Sequence, residues 1–145
     1  WERALSLLDE MLARDVAPNV VSFSAAISAC EKGGEWERAL ALLAELRVPP
    51  ASRKTAERLP APDHISYAAA ILACARAAQW RPAVELLREA ETRGVPLDEQ
   101  TNFGLVVGAC EHAAERGDEL AERAATTLRN AMAARGLDLP HAALA

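Results

Sequence analysis

Three cysteines, three tryptophans and one acidic cluster around a histidine are the side chains of this 145-residue chain that could carry chemistry. Thiols hold metals or exchange electrons, and indole rings stack on nucleobases. Glu111, His112 and Glu115 lie within one helical turn, which would bring possible metal ligands together. Each of these groups could instead have a purely structural role, so its spacing in the sequence must be considered before it is taken as a site.

The cysteine spacing indicates packing and not metal or redox chemistry. Cys30, Cys74 and Cys110 are 44 and 36 residues apart, and no Cys-x-x-Cys pair occurs. We therefore expect three buried core thiols in a reducing compartment. Each tryptophan begins an apolar stripe, which predicts packing instead of base stacking. The histidine cluster has no further histidine or cysteine in register, so we expect a solvated helix end and no metal site.

Two motifs recur along the chain and account for these spacings. The first opens on tryptophan and continues through a leucine-rich run, and the second carries an aromatic residue and ends on cysteine. The tryptophan motif occurs at Trp1–Leu8, Trp36–Leu43 and Trp80–Leu87, and the cysteine motif at Ser22–Cys30, Ser66–Cys74 and Asn102–Cys110. One unit therefore holds two helices, a cysteine-bearing helix A and a tryptophan-bearing helix B.

The periodicity within each motif is that of a helix. Phe23, Ala26, Ile27 and Cys30 stand at i, i+3, i+4 and i+7, and strand alternation appears nowhere. Turn residues separate the segments, as at Gly33-Gly34. The sequence thus predicts an all-α fold, a right-handed α-solenoid of antiparallel helix-turn-helix repeats with about seven helices.

One repeat array should occupy the whole chain. Its predicted parts are the second half of a repeat (1–19), a repeat with a proline-rich basic insertion at 47–62 (20–63), a regular repeat (64–98) and a divergent terminal repeat (99–145). Helix pairs of this kind bury their apolar faces by stacking on neighbours. We therefore expect the first B helix, about 1–14, to have a partly exposed apolar stripe because it lacks an A partner.

Five features of the chain resemble the pentatricopeptide repeat. They are the 35-residue period, the aromatic–small pair in helix A, the cysteine of that helix, the Ala-Leu-x-Leu-Leu run of helix B, and the Pro-Asn or Leu-Asp pair that closes the repeat. Members of that family bind single-stranded RNA, roughly one base per repeat. The resemblance implies that the fifth residue of helix A and the closing residue of the repeat read the base. The residues that this rule selects are Ser24 with Asp63, Ala68 with Asp98, Gly104, and the closing residue Asn19.

Ser24 and Asp63 resemble a purine-reading pair, with guanine preferred, whereas Ala68 and Gly104 offer no hydrogen-bonding group. Ser24 could also be a small exposed polar residue where helices pack tightly. The resemblance further implies that Val21 and Ile65 sandwich bases, a position at which Thr101 departs from the pattern. 

The resemblance also implies phosphate contacts near the end of each helix A. Lys32, Arg76 and His112 hold that register, with ordinary solvated side chains as the alternative. The chain as a whole is acidic, with a net charge of −5. The acid collects on the B helices, however, which leaves the A-helix surface near neutral. The insertion, with Arg47, Arg53, Lys54 and Arg58, is the most basic stretch, either a surface loop or a further source of phosphate contacts.

The resemblance to the pentatricopeptide repeat therefore implies a non-catalytic module that holds single-stranded RNA along its concave A-helix surface. No catalytic or phosphate-binding motif occurs, so we expect no cofactor, no metal and no small-molecule substrate. No apolar run is long enough to span a membrane, and no targeting segment is visible. By family resemblance the expected setting is transcript processing, editing, splicing or stabilisation in a mitochondrion or chloroplast. The alternative is a solenoid that binds protein partners.

Overall fold

Seven α-helices make up the described part of the chain in the computed structural model, which covers residues 1–47 and 61–138. They confirm the predicted all-α repeat architecture. In chain order the helices are α1 (Glu2–Ala13), α2 (Val20–Gly33), α3 (Trp36–Arg47), α4 (His64–Arg76), α5 (Trp80–Thr92), α6 (Glu99–Glu115) and α7 (Glu119–Ala134). Most of the basic insertion predicted at 47–62 lies outside the described residues, as does the end of the terminal repeat.

The helices pack as two layers in a repeated pattern. Each A helix (α2, α4, α6) packs against the B helix that follows it, and consecutive A helices pack against each other. Each B helix also contacts the next A helix. Eight of the 13 residues of α4 are therefore buried, because helices cover it on several sides. Stacking of this kind is what lets short helix pairs bury their apolar faces.

The predicted turns fall where the helices end. Gly34 closes α2 in the left-handed conformation, with φ of +75°, which an L side chain rarely adopts. Gly94 ends the α5 hairpin in the same way, with φ of +66°. The last B helix, α7, lies within the alanine-rich stretch 118–135.

Each A helix begins at an acidic or amide cap that also closes the preceding repeat. The caps Asn19, Asp63 and Asp98 accept hydrogen bonds from the backbone N–H groups of Ser22, Ser66 and Thr101. Such a cap stabilises a helix by about 1 kcal/mol.

The three cysteines are buried free thiols, as their spacing predicted. Burial raises the pKa of the Cys74 thiol to about 12 and that of Cys110 to about 11, so both carry their proton at neutral pH. The tryptophans are also packed, since Trp1, Trp36 and Trp80 lie partly buried against the core.

The first B helix has a more open apolar face than its equivalents. Leu7 is 52% exposed, whereas Leu42 and Leu86 at the same place in α3 and α5 are 7% and 4% exposed. This difference confirms the predicted exposure of the α1 stripe.

A close approach between Trp1 and Gly33 provides a test of how α1 docks. A Cβ atom added at Gly33 would lie 2.2 Å from Cδ1 of Trp1, whereas one added at Gly108, within α6, meets nothing within 4 Å. We expect Gly33→Ala to lower the free energy of unfolding by about 1–2 kcal/mol through overpacking. Gly108→Ala should raise it by about 0.5–1 kcal/mol, because alanine favours the helix. Chemical denaturation measures both, and an unchanged stability for Gly33→Ala would contradict the docked position of Trp1.

Candidate functional site

The candidate reading residues lie at the boundaries between successive A helices. Ser24 of α2 and Asp63, the cap of α4, are 39 positions apart in the chain, yet the Ser24 hydroxyl lies 3.2 Å from Oδ1 of Asp63. The structure thus brings together the two residues that the repeat pattern paired. Whether they read a base stays a prediction.

Ser24 is buried and not exposed, with 4% of its surface accessible. Its hydroxyl lies 2.7 Å from the carbonyl oxygen of Val20 and 2.8 Å from the hydroxyl of Ser66, in addition to its contact with Asp63. The alternative interpretation of Ser24 as an exposed polar residue is therefore wrong. Its hydroxyl is already engaged in a polar cluster between α2 and α4.

Ser66 completes that cluster and did not enter the sequence-based set of site residues. It is fully buried, and both its backbone N–H and its hydroxyl donate to Oδ1 of Asp63, at 2.9 and 2.8 Å. The signal that could have found it is its position three residues after the closing aspartate, which Ser22 shares relative to Asn19. Serine at that place is a helix-capping residue type.

An open cleft of about 350 Å³ lies on the A-helix face and collects four of the predicted residues. Lys32, Ile65, Ala68 and Asp98 all line it. Its other lining residues come from the same helices and the loop before α6, and they are Ser28, Glu31, His64, Ala69, Leu72, Pro96, Leu97 and Asn102. The cleft therefore joins aliphatic walls, a cation and a carboxylate in one place, spanning three successive A helices.

Val21, Asn19 and Gly104 do not line this cleft. Val21 is 68% exposed near the start of α2, and Ile65 is 48% exposed at the equivalent place in α4. Asn19 is exposed and caps α2, while Gly104 is half-buried within α6. Exposed aliphatic side chains at equivalent places on two A helices are what a base-sandwiching role requires.

The three candidate phosphate-contacting cations differ in their surroundings. Arg76 forms an ion pair with Glu31, which is itself buried near the end of α2. The Nδ1 atom of His112 lies 4.0 Å from Oε2 of Glu115. Lys32 is exposed and is absent from the ion pairs of the described residues. The pairing of Arg76 with Glu31 links neighbouring repeats.

A second open cleft of about 440 Å³ lies beside the A–B turns of the last two repeats. His112, Arg81 and Arg116 line it together with Trp80 and Asp118. The Asp118 carboxylate already has partners within the protein. It caps α7 and accepts a hydrogen bond from Nε1 of Trp80 at 3.2 Å. It also lies 3.8 Å from Arg81. The cationic side chains of this cleft are thus offset by one carboxylate.

The described residues hold neither a candidate metal cluster nor a membrane-spanning helix. Within 1–47 and 61–138 no group of three or more histidine, cysteine or acidic side chains is placed to hold a metal ion. Across the described helices, none is both long and apolar enough to cross a membrane.

The Asp63 carboxylate has a shifted pKa because of the cluster around it. Burial acts to raise its pKa, but hydrogen bonds from the N–H and hydroxyl of Ser66 and from Ser24 outweigh burial and hold the pKa below its usual value. A carboxyl group with a lowered folded-state pKa stabilises the fold above its unfolded pKa of about 3.9. That stabilisation is lost as the pH falls through the folded-state value.

We therefore expect Asp63→Asn to lower the free energy of unfolding at pH 7 by about 1–2 kcal/mol, since hydrogen bonds to a charged group are lost. The variant should also lose less stability than the parent between pH 4 and pH 2. Denaturant titrations across that range measure both effects. Asp9→Asn removes the same charge from the exposed face of α1 and serves as the control. Equal acid sensitivity of the Asp63→Asn variant and the parent would contradict the role of the cluster.

Comparison with known proteins identifies one of these units. Residues 21–48 match the family model described as PPR repeat, the pentatricopeptide repeat. No curated protein matches the chain. The matched segment covers α2 and α3, and the pairs α4–α5 and α6–α7 repeat the packing of that unit. Repeats of this type generally bind RNA, which supports an RNA-binding helical repeat protein. The match identifies residues 21–48 as a pentatricopeptide repeat, and the repeated helix pairs support a pentatricopeptide repeat protein.

Proposed function

We propose that the chain binds single-stranded RNA along the exposed face of its A helices and does no chemistry on it. The observation that carries the proposal is the 350 Å³ cleft in which Lys32, Ile65, Ala68 and Asp98 meet. Sequence-specific RNA recognition uses bases that are splayed out from a single strand. A cleft with aliphatic walls and a few polar groups suits such a base.

Each wall of the cleft has a distinct part in this proposal. Ile65 and Leu97 provide apolar surface for a base, and burying such surface is favourable by about 25 cal/mol per Å². Lys32 lies at the same cleft and would neutralise one phosphate. The carboxylate of Asp98 accepts hydrogen bonds and would select a base edge that donates them.

The electrostatic contribution to binding should be small. Arg76 is already neutralised by Glu31, so Lys32 is the main cation that this face offers to phosphate. Binding should therefore depend on salt only weakly, since each neutralised phosphate adds about 0.7 to the salt slope of a single strand. A family setting in transcript processing, editing, splicing or stabilisation in mitochondria or chloroplasts completes the proposal.

The second candidate is a protein-binding solenoid, favoured by one observation. Acidic side chains are concentrated on the B helices, including Glu37, Glu45 and Glu85, all of which are exposed. A basic peptide would be attracted to that surface, whereas RNA would be repelled from it.

In vitro selection from random single-stranded RNA at two salt concentrations tests the proposal. An enriched motif would support base reading, and salt-sensitive binding without a motif would leave a phosphate-holding scaffold. Absence of binding at both concentrations would overturn the RNA proposal and favour the protein partner.

Lys32→Ala gives a quantitative prediction for the phosphate contact. We expect weaker binding to any single-stranded RNA, with the salt slope reduced by about 0.7 because one phosphate contact is lost. Arg88→Ala removes one exposed cation from α5 in the B layer and should change neither quantity. Fluorescence anisotropy at several salt concentrations measures both, and equal effects of the two substitutions would show that the A-helix face is not the binding surface.

Glu31→Gln separates the two candidate partners because it should change the binding of only one of them. Loss of the Glu31 charge frees Arg76 to contact phosphate, so RNA binding should strengthen and its salt slope should rise by about 0.7. Binding of a basic peptide to the acidic B-helix surface should be unchanged, because Glu31 lies on α2 in the A layer. Titrations with a random single-stranded RNA and with an oligo-lysine peptide distinguish the outcomes, and circular dichroism checks that the variant remains folded.

A further inference from the structure

Two successive A–A boundaries can be compared position by position. Aligned on the aromatic residue of helix A, Ser24 corresponds to Ala68, and Ser66 corresponds to Asn102. At the first boundary, between α2 and α4, the hydroxyls of Ser24 and Ser66 lie 2.8 Å apart, within hydrogen-bond distance. At the second boundary, between α4 and α6, the side chain of Ala68 has no hydroxyl to offer.

The third repeat also has one additional residue between its cap and its aromatic residue. Asp63 precedes Tyr67 by four positions, whereas Asp98 precedes Phe103 by five. The residue three positions after the cap is consequently Thr101, whose hydroxyl donates to Oδ2 of Asp98 at 2.6 Å. Thr101 therefore makes the hydrogen bond to the cap that Ser66 makes in the preceding repeat, which leaves the next side chain, Asn102, outside that cluster.

Asn102 is held in place by one hydrogen bond and retains an unused acceptor. Its Nδ2 atom donates to the carbonyl oxygen of Asp98 at 2.8 Å. The residue is only 3% exposed, and its buried Oδ1 atom has no hydrogen-bond partner in the described structure. A buried acceptor without a partner costs about 1–3 kcal/mol and calls for an explanation.

The position of Asn102 supplies that explanation, because the residue lines the 350 Å³ cleft together with Ala68 and Asp98. The terminal torsion of an asparagine side chain is broad, so a small rotation turns Oδ1 toward a ligand. A ligand in this cleft that carries a hydrogen-bond donor would remove the cost of the unused acceptor.

We infer that Asn102, and not Ala68, reads the base held in this cleft, and that the base it takes is guanine. The inference rests on the proposed RNA binding. Of the polar side chains that line the cleft, Asn102 through Oδ1 and Asp98 through its carboxylate offer acceptors at the boundary between α4 and α6. Guanine presents two neighbouring donors on its Watson–Crick edge, the ring N–H and the exocyclic amino group. Uracil flanks its single N–H with two carbonyl oxygens, which would face these acceptors unfavourably.

The test compares Asn102→Ser and Ala68→Ser with the parent protein. Both changes introduce a serine that the chain already has at the equivalent place in another repeat. Ser66 is the equivalent of Asn102, and Ser24 is the equivalent of Ala68. Parallel in vitro selections with the three proteins identify the motif position that changes. Dissociation constants are then measured for RNAs that carry guanine or uracil at that position.

The parent should prefer guanine by roughly 10-fold or more, as expected for a good pair of base contacts. Asn102→Ser should reduce that preference to about twofold or less without weakening the uracil RNA. Ala68→Ser should raise thermal stability by donating to Oδ1 of Asn102, and it should also abolish the guanine preference. This opposite movement of stability and preference is not expected from a purely structural residue. Asn130→Ser makes the same side-chain change on the exposed surface of α7, outside the cleft, and as the control it should leave the preference intact.

Each other outcome has a definite meaning. Failure of the parent to bind any single-stranded RNA would overturn both the proposed function and the inference. RNA binding whose base preference is absent, or is the same in the parent and both serine variants, would overturn the inference alone. An unchanged preference with increased stability in Ala68→Ser would show that the acceptor is an internal site normally occupied by water.

Discussion

Burial of the A helices between their neighbours is the constraint on which the other features of the molecule depend. Because α4 contacts both flanking A helices and two B helices, its polar side chains must find partners within the protein or in a ligand. Small residues such as Ser24 and Ala68 stand at these boundaries, where helices approach closely. The groups that could read a base therefore belong to the same interfaces that hold the repeats together.

The closing residue Asp63 combines two duties for the same reason. Asp63 caps α4 and also receives the hydroxyl of Ser24 from the preceding A helix, so Oδ1 of this one carboxylate accepts several hydrogen bonds. These bonds fix its orientation without any contribution from a ligand. A preorganised carboxylate loses little conformational freedom on binding, which favours affinity.

Local periodicity was sufficient to predict the seven helices, their turns and the buried cysteines, because each depends on residues close together in the chain. The pairing of Ser24 with Asp63 followed from the resemblance to the pentatricopeptide repeat. The ion pair of Glu31 with Arg76 and the unpaired Oδ1 of Asn102 could not be predicted in this way. Both depend on how one repeat is placed against the next, and a one-residue difference in cap spacing changes which side chain faces the boundary.

The comparison of the two boundaries suggests that the unit of recognition is the interface between A helices and not the single repeat. Judged by its own residues, the repeat with Ser24 and Asp63 is informative and the one with Ala68 and Asp98 is nearly mute. When the two repeats are judged by their contacts, their ranking as base readers is reversed. The hydroxyl of Ser24 is already bonded to protein groups, while the mute repeat borders the unused acceptor of Asn102. A base bound beside Ala68 would gain a hydrogen bond without displacing one, whereas a base that engages Ser24 must exchange a bond already made.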